Sequence, residues 1–307
     1  MTKDVGRSKH SDGGKGVPGP FDRAVLRQRR LRAAPRFTDH DFLFREIATR
    51  LDERLSEITR SFNRVLVIGN QGGIAADLAA RRYGQAEVVR TDLDRGLLRC
   101  GAGRAVVADD EALPFADGAF DLAISLLGLH WVNDLPGTLI QLRRALRPDG
   151  LLLAAFLGGE TLRELRQAFL EAETAVEGGV SPRVSPFVDV RTAGSLLQRA
   201  GFALPMVDVD SLTVTYENAF ALMRDLRGMG ETNALIDRRR SLSRRDTVFA
   251  MAEVYAARHA GADGRIPATF DVLYLTAWSP HESQPRPLAP GSARTSLGDV
   301  LGKKTDD

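Results

Sequence analysis

A doubly wound α/β domain with a mostly parallel sheet is the fold class this sequence predicts, and three observations carry that expectation. Five short, nearly continuous apolar runs recur between residues 65 and 156, as strands buried on both faces should. Segments with apolar residues three and four apart separate them, which is the pattern of strand–helix–strand crossovers. The first run ends in a glycine-rich turn that leads straight into a helix. With 307 residues the chain is long enough for one such domain with insertions.

The elements follow in order. Residues 1–20 are polar and Gly-rich and read as a disordered basic tail. A helical cap is expected over 21–62. Its first helix runs from Phe21 to Ala33 and stops at Pro35. Thr38 or Asp39 can cap the second, whose apolar residues Phe44, Ile47, Leu51, Leu55 and Ile58 keep helical spacing. The main domain is expected over 63–278. VLVIG (65–69) is its first strand, a helix follows from Gly73 to Arg82, and AEVVRT (86–91), RAVVA (104–108) and FDLAISLL (120–127) are the next strands. Asn133 and Asp134 can cap a helix carrying Leu135, Leu139, Leu142 and Leu146, ended by Pro148 and Gly150. LLLAAF (151–156) is the fifth strand.

Beyond it, Leu162, Leu165, Phe169, Ala172 and Val176 mark one helix and 192–200 another. Residues 204–216 and 268–278 alternate as two late strands, which brings the count to seven. Between them, 217–262 reads as a helical insertion, a lid or partner surface holding the basic cluster from Asp237 to Asp246. Residues 279–307 read as an extended tail.

Composition removes several function classes. A lone cysteine, Cys100, excludes a disulfide framework and a Cys-rich zinc site. The longest apolar run, Leu122 to Val132, is too short to span a bilayer, and no signal peptide opens the chain. These features predict a soluble intracellular protein, assigned to the cytoplasm. The net charge of +2 is uneven: 10 basic and 3 acidic residues stand in Met1 to Arg36, against 32 basic and 37 acidic in the rest. A basic arm on an acidic body suits an acidic partner or a self-docked cap, and equally a solvated tail. The acidic body disfavours nucleic acid as a partner.

The residues able to carry chemistry sit at strand ends. Gly69, Gly72 and Gly73 let backbone amides approach a ligand at a helix N-terminus, or simply form a tight turn. Asp92, followed by Leu93, ends the second strand, where an acid accepts from ribose hydroxyls or caps the next turn. Asp109 and Asp110 follow the third strand, placed to accept from an adenine amine or to lie in a solvated loop.

In that order and spacing, the glycine turn, Asp92, DDEALPF (109–115) and FDLAISLLGLHW (120–131) resemble class I S-adenosylmethionine (SAM) methyltransferases. FDRAVLRQRRLRAAPRF (21–37), HDFLF (40–44), LHWVNDLPG (129–137), GGETLRELRQAF (158–169), GGVSPRVSPFVDVR (178–191) and PHESQPRPLAPGSA (280–293) resemble one branch of them. That branch comprises assembly factors of respiratory complex I and is related to malonyl-carrier O-methyltransferases of biotin synthesis. The resemblance implies a Rossmann-like, seven-stranded methyltransferase sheet. It implies SAM as cofactor, with Gly69, Gly72 and Gly73 at the methionyl end, Asp92 and Leu93 at the ribose, and Asp109 and Asp110 at the adenine. It further implies a protein substrate, with a complex I subunit as the candidate, and in a eukaryote the mitochondrial matrix as the compartment. The implied reaction is methyl transfer, with arginine hydroxylation, carboxyl methylation of an acyl carrier, or no catalysis as alternatives.

Two positions depart from that pattern, because Val67 replaces the usual acid of the first strand and Gln71 the central glycine of the turn. His130, at the end of the fourth strand, is the candidate base; it is otherwise a packed histidine whose Nδ1 bonds backbone. Trp131 reads as a wall. None of His10, His40, His130, His259 and His281 stands in a His-x-Asp pair, so no metal site is expected, although His40 with Asp39 and Asp41 could join His130 if the cap folds over the site. Arg23, Arg27, Arg29, Arg30 and Arg32 form either a substrate-contacting lid face or a solvated one.

Overall fold

The computed structural model describes residues 19–285, so most of the expected 1–20 tail and the last part of the expected 279–307 tail lie outside the described residues. Helix α1 (Arg23–Ala33) starts where the Asp22 carboxylate accepts from the Val25 amide. A 3-10 turn over Ala34–Asp39, with Pro35 at its start, follows, and then helix α2 (Phe42–Ser56). Neither Thr38 nor Asp39 caps α2, since both lie inside the 3-10 turn. Asp41 holds the cap position and spends its carboxylate on Arg45.

The sheet has seven strands: β1 (Arg64–Ile68), β2 (Glu87–Asp92), β3 (Arg104–Val107), β4 (Phe120–Leu126), β5 (Leu146–Leu157), β6 (Ala203–Tyr216) and β7 (Ile266–Trp278). Their spatial order is β3-β2-β1-β4-β5-β7-β6. The first five are parallel, and β7 runs antiparallel between β5 and β6. The order reverses between β1 and β4, so the loops leaving those two strands diverge and open a crevice at their carboxyl ends.

Helices α3 (Ile74–Arg82), α4 (Leu135–Ala145), α5 (Arg163–Glu177) and α6 (Val190–Arg199) cover the faces, and α7 (Ala219–Gly228) and α8 (Arg245–His259) lie in the late insertion. Alternation along β1 divides the core: Val65 and Val67 pack with α2, α3, α5 and α8, while Leu66 and Ile68 pack with α4 and α6. Among the described residues no helix is long and apolar enough to cross a membrane.

Three further expectations need correction. Helix α4 ends at Ala145, and Leu146 already pairs with Phe120 as the start of β5. Asp134 caps α4, whereas the Asn133 side chain is committed to Phe21. The insertion is not continuously helical either. Gly230, at φ +79°, follows α7, and 229–244 crosses to α8 without a helix. That connection carries the residue on which the site turns.

The cap docks on this same connection. Phe21 forms a one-residue antiparallel bridge with Leu235, and Asp22 N–H and Ile236 N–H donate across it to Ala234 and Pro20, each at 2.8 Å. Phe21, Leu26, Trp131, Ala234 and Leu235 form a small separate core, with the Phe21 ring edge-on to Trp131 at 5.2 Å. Burying Phe21 contributes roughly 2–3 kcal/mol to docking.

Candidate functional site

The glycine turn has the left-handed geometry its residues allow, with Gly69 at φ +72°, Gly72 at +69° and Gly73 at +79°. A Cβ on Gly73 would lie 2.5 Å from the backbone of Gly101, so that position admits only glycine. The space above Gly72 is filled by the Phe37 ring of the cap. Asn70 fastens the turn, its side chain donating to the carbonyls of Leu97 and Cys100.

Asp92 is buried at the end of β2, and the next turn is capped by Asp94 rather than by Asp92. One Asp92 carboxylate oxygen accepts from Asn70 N–H at 2.9 Å and the other from Leu93 N–H at 2.7 Å, so Asp92 braces the glycine turn and leaves each oxygen a further lone pair. Leu93 therefore acts through its backbone amide. Burial raises the Asp92 pKa, against the pull of Arg30, those two amides and Arg23.

Asp109 and Asp110 have different environments. Asp109 is partly exposed and accepts from Arg23 at 2.7 Å and from Glu111 N–H at 3.0 Å. Asp110 is buried, and its Oδ1 has no hydrogen-bond partner. Burial pushes its carboxyl up to about 7, because Arg23 gives its short contact to Asp109 and stays 3.9 Å from Asp110, while Asp92 adds repulsion. Asp92 and Asp110 thus share one pocket of charge with Arg23 and Arg30.

The largest finding is a residue that strand-end reasoning missed. Glu231, from the 229–244 connection, is 5% exposed and collects donors from three parts of the chain. Gln71 of the glycine turn donates to Oε1 at 3.1 Å, Trp131 Nε1 donates to Oε2 at 2.6 Å, and His130 Nε2 lies 2.9 Å from Oε2. Arg30 of the cap stands 3.6 Å from Oε1. Burial opposes the charge on Glu231, but His130, Arg30 and Gln71 outweigh it and hold the carboxyl at about 2. In the neutral imidazole the proton then sits on Nε2 and the lone pair on Nδ1. Nδ1 is buried and unpartnered, so the backbone bond expected for a merely packed histidine is not made. The one signal for Glu231 in sequence was its being the lone acid between Asp225 and Asp237.

The cap arginines divide. Arg23 faces Asp109 and Glu111, Arg30 is buried, and Arg29 is half-buried, whereas Arg27 and Arg32 are exposed. A solvated face describes only the last two. His40 does not join His130, because its Nδ1 is 2.7 Å from Asp225. Among the described residues no three His, Cys, Asp or Glu side chains are grouped to hold a metal ion.

Behind Trp131 and Glu231 lies a cavity of about 250 Å³ between apolar walls, including Leu165, Phe169 and Phe187, and arginines 29, 183, 227, 238 and 239. Arg183 is held by Glu173, Arg239 by Glu177 and Arg238 by Asp22, but Arg29 Nη1 is buried without a partner. A second cavity, about 520 Å³, opens between the cap and the glycine turn beside Arg30 and Gln71. The first is a cationic, apolar chamber that reaches Glu231, and the second is bounded by the cap and the glycine turn.

Residues 66–154 match the family described as methyltransferase domain. The chain is similar to the human protein named Arginine-hydroxylase NDUFAF5, mitochondrial: 43% identical over 289 residues, covering 92% of this chain and 83% of that protein. It is 36% identical to the malonyl-(acyl-carrier protein) O-methyltransferase of Laribacter hongkongensis, covering 88% of this chain and 94% of that one. Among solved structures, the Bacillus halodurans protein BH2331 superposes with a TM-score of 0.54 at 16% identity, covering 76% of this chain and 99% of its own, a likeness of fold.

Proposed function

The chain belongs to the family of NDUFAF5-like proteins, built on the methyltransferase fold, and from that membership we propose that it binds SAM and modifies a protein during assembly of respiratory complex I. The observation that carries the cofactor reading is Asp110, a buried carboxylate with one oxygen unpartnered, beside Asp92. A buried acceptor left unmade costs about 1–3 kcal/mol, and the exocyclic amine of an adenine would satisfy it. Asp92 retains lone pairs for ribose hydroxyls, and Gly69 keeps the start of the turn clear of a side chain. In this assignment Gly69, Gly72, Gly73, Asp92, Leu93 and Asp110 hold the cofactor, while Asp109 acts by holding Arg23 over it.

When bound, SAM supplies an electrophilic methyl group, and methyl transfer needs mainly alignment with a nucleophile. His130 is the base in this reading, with Glu231 fixing its ring so that Nδ1 can accept a proton from the target side chain. The Trp131 side of the neighbouring cavity receives the substrate. The protein is assigned to the cytoplasm, or to the matrix in a eukaryote.

A second reading, arginine hydroxylation, is favoured by the 43% identity to the human protein of that name. Carboxyl methylation of an acyl carrier is favoured by the arginine-lined cavity. Calorimetric titration with SAM tests the shared premise: binding is expected in the wild type and lost in Asp92→Ala, and no heat at about 1 mM ligand refutes it. Mass spectrometry of complex I subunits from cells with and without the gene then separates an added methyl from an added oxygen, and rescue of a biotin-synthesis defect would point to the acyl carrier.

A further inference from the structure

We propose that Arg30 and Glu231 form a receptor for the amino-acid end of the cofactor, Arg30 taking its carboxylate and Glu231 its ammonium. The inference rests on the SAM reading above and names a pair of residues from outside the strand-end motifs. It begins from Val67, which stands where this class of enzyme places an acid and is fully buried in the core. Strand β1 therefore offers no carboxylate to an ammonium.

Glu231 supplies one from another part of the chain. Its contacts to Gln71 and to His130 place it between the glycine turn and the end of β4. Gln71 then has a positive role. Its Nε2 donates to Glu231, and its Oε1, buried and unpartnered, is an acceptor for a second ammonium N–H.

Arg30 is the complementary half. It is 3% exposed, and both Nε and Nη2 are buried without hydrogen-bond partners. Its 3.6 Å approach to Glu231 is a charge contact rather than a hydrogen bond. A buried guanidinium with unused donors is costly, and a planar carboxylate is the group that satisfies them best. Arg30, Gln71 and Gly72 line the 520 Å³ cavity, while Glu231 lines the 250 Å³ one. A guanidinium with unmade donors beside a carboxylate and the unpartnered Gln71 Oε1 matches a zwitterion, and an α-amino acid is one.

Three ligands, read against SAM itself, test the pair by calorimetry on the full chain: S-adenosylhomocysteine, decarboxylated SAM, and 5′-methylthioadenosine, which lacks the amino-acid end. In the wild type, 5′-methylthioadenosine should bind at least tenfold more weakly than S-adenosylhomocysteine, and decarboxylated SAM should fall short of SAM by a similar factor. Arg30→Met should weaken S-adenosylhomocysteine tenfold or more while leaving 5′-methylthioadenosine within about threefold, and Arg30→Lys should recover part of the loss. Because 5′-methylthioadenosine also reports folding, a variant that loses both ligands is misfolded, and the wild-type ligand series then decides. Equal affinity for the full and truncated ligands in the wild type overturns the receptor alone. A wild type that binds none of the three overturns the SAM reading itself.

Discussion

Replacing Glu231 by Gln keeps the shape of the side chain and removes its charge, leaving Arg30 buried beside a neutral amide. The fold holds this carboxyl at about 2 against an ordinary glutamate value of 4.5. A displacement of that size corresponds to about 3 kcal/mol of stability, within the range for breaking a buried ion pair. The sign follows from the direction: a depressed acid pKa stabilises the fold above the unfolded value and loses that contribution as pH falls towards the folded one. The wild type should therefore exceed Glu231→Gln by about 3 kcal/mol at pH 7 and by only about 1 kcal/mol at pH 3. Urea unfolding at both pH values, followed by tryptophan fluorescence and by circular dichroism, measures the two differences. A gap below about 0.5 kcal/mol at pH 7, or a gap unchanged at pH 3, would refute the claim that Glu231 is the charged centre of the network.

Asp110 should behave in the opposite sense, since its carboxyl is raised from 3.8 to about 7. Its ionisation costs stability increasingly from pH 3.8 to 7, so Asp110→Asn should stabilise the ligand-free protein at pH 8, by no more than about 4 kcal/mol, and much less at pH 5, while weakening SAM binding. Asp92→Ala should destabilise by about 1–3 kcal/mol, because the Asn70 and Leu93 amides lose their acceptors; a urea midpoint equal to wild type would contradict the bracing role. Phe21→Ala should cost about 3 kcal/mol of cap docking, seen as faster hydrogen exchange in 21–37 with β1 and β4 unchanged.

The parallel strands were legible because burial on both faces leaves an uninterrupted apolar run, which VLVIG and FDLAISLL display without ambiguity. The strand-end residues followed, since the end of a strand fixes where its last side chain sits. Glu231 was not legible by that route. It lies in a connection with no period, and only the tertiary meeting of cap, turn and insertion gives its charge a meaning. Arg30 failed for a related reason, because five arginines on one short helix look alike in sequence. Docking makes Arg30 almost fully buried and leaves Arg32 in water. Gln71 stands in sequence only as a departure from the usual glycine of the turn, and its bond to Glu231 appears only once the insertion is folded against it.

The bridge between Phe21 and Leu235, and the Asp22–Arg238 pair spanning 216 positions of sequence, set a schedule for biogenesis. A nascent chain can assemble β1 to β5 by local crossovers, yet its first helix has nothing to dock on until the connection after α7 has left the ribosome. Closing so long a loop is entropically slow and depends on the sheet being in place first. The amphipathic cap thus waits, with its apolar side uncovered, through most of translation, and is exposed to chaperones and to premature self-association. Chains ending before the 229–244 connection should aggregate more than the full chain, as light scattering would show, which makes the late insertion a maturation checkpoint as well as a wall of the site.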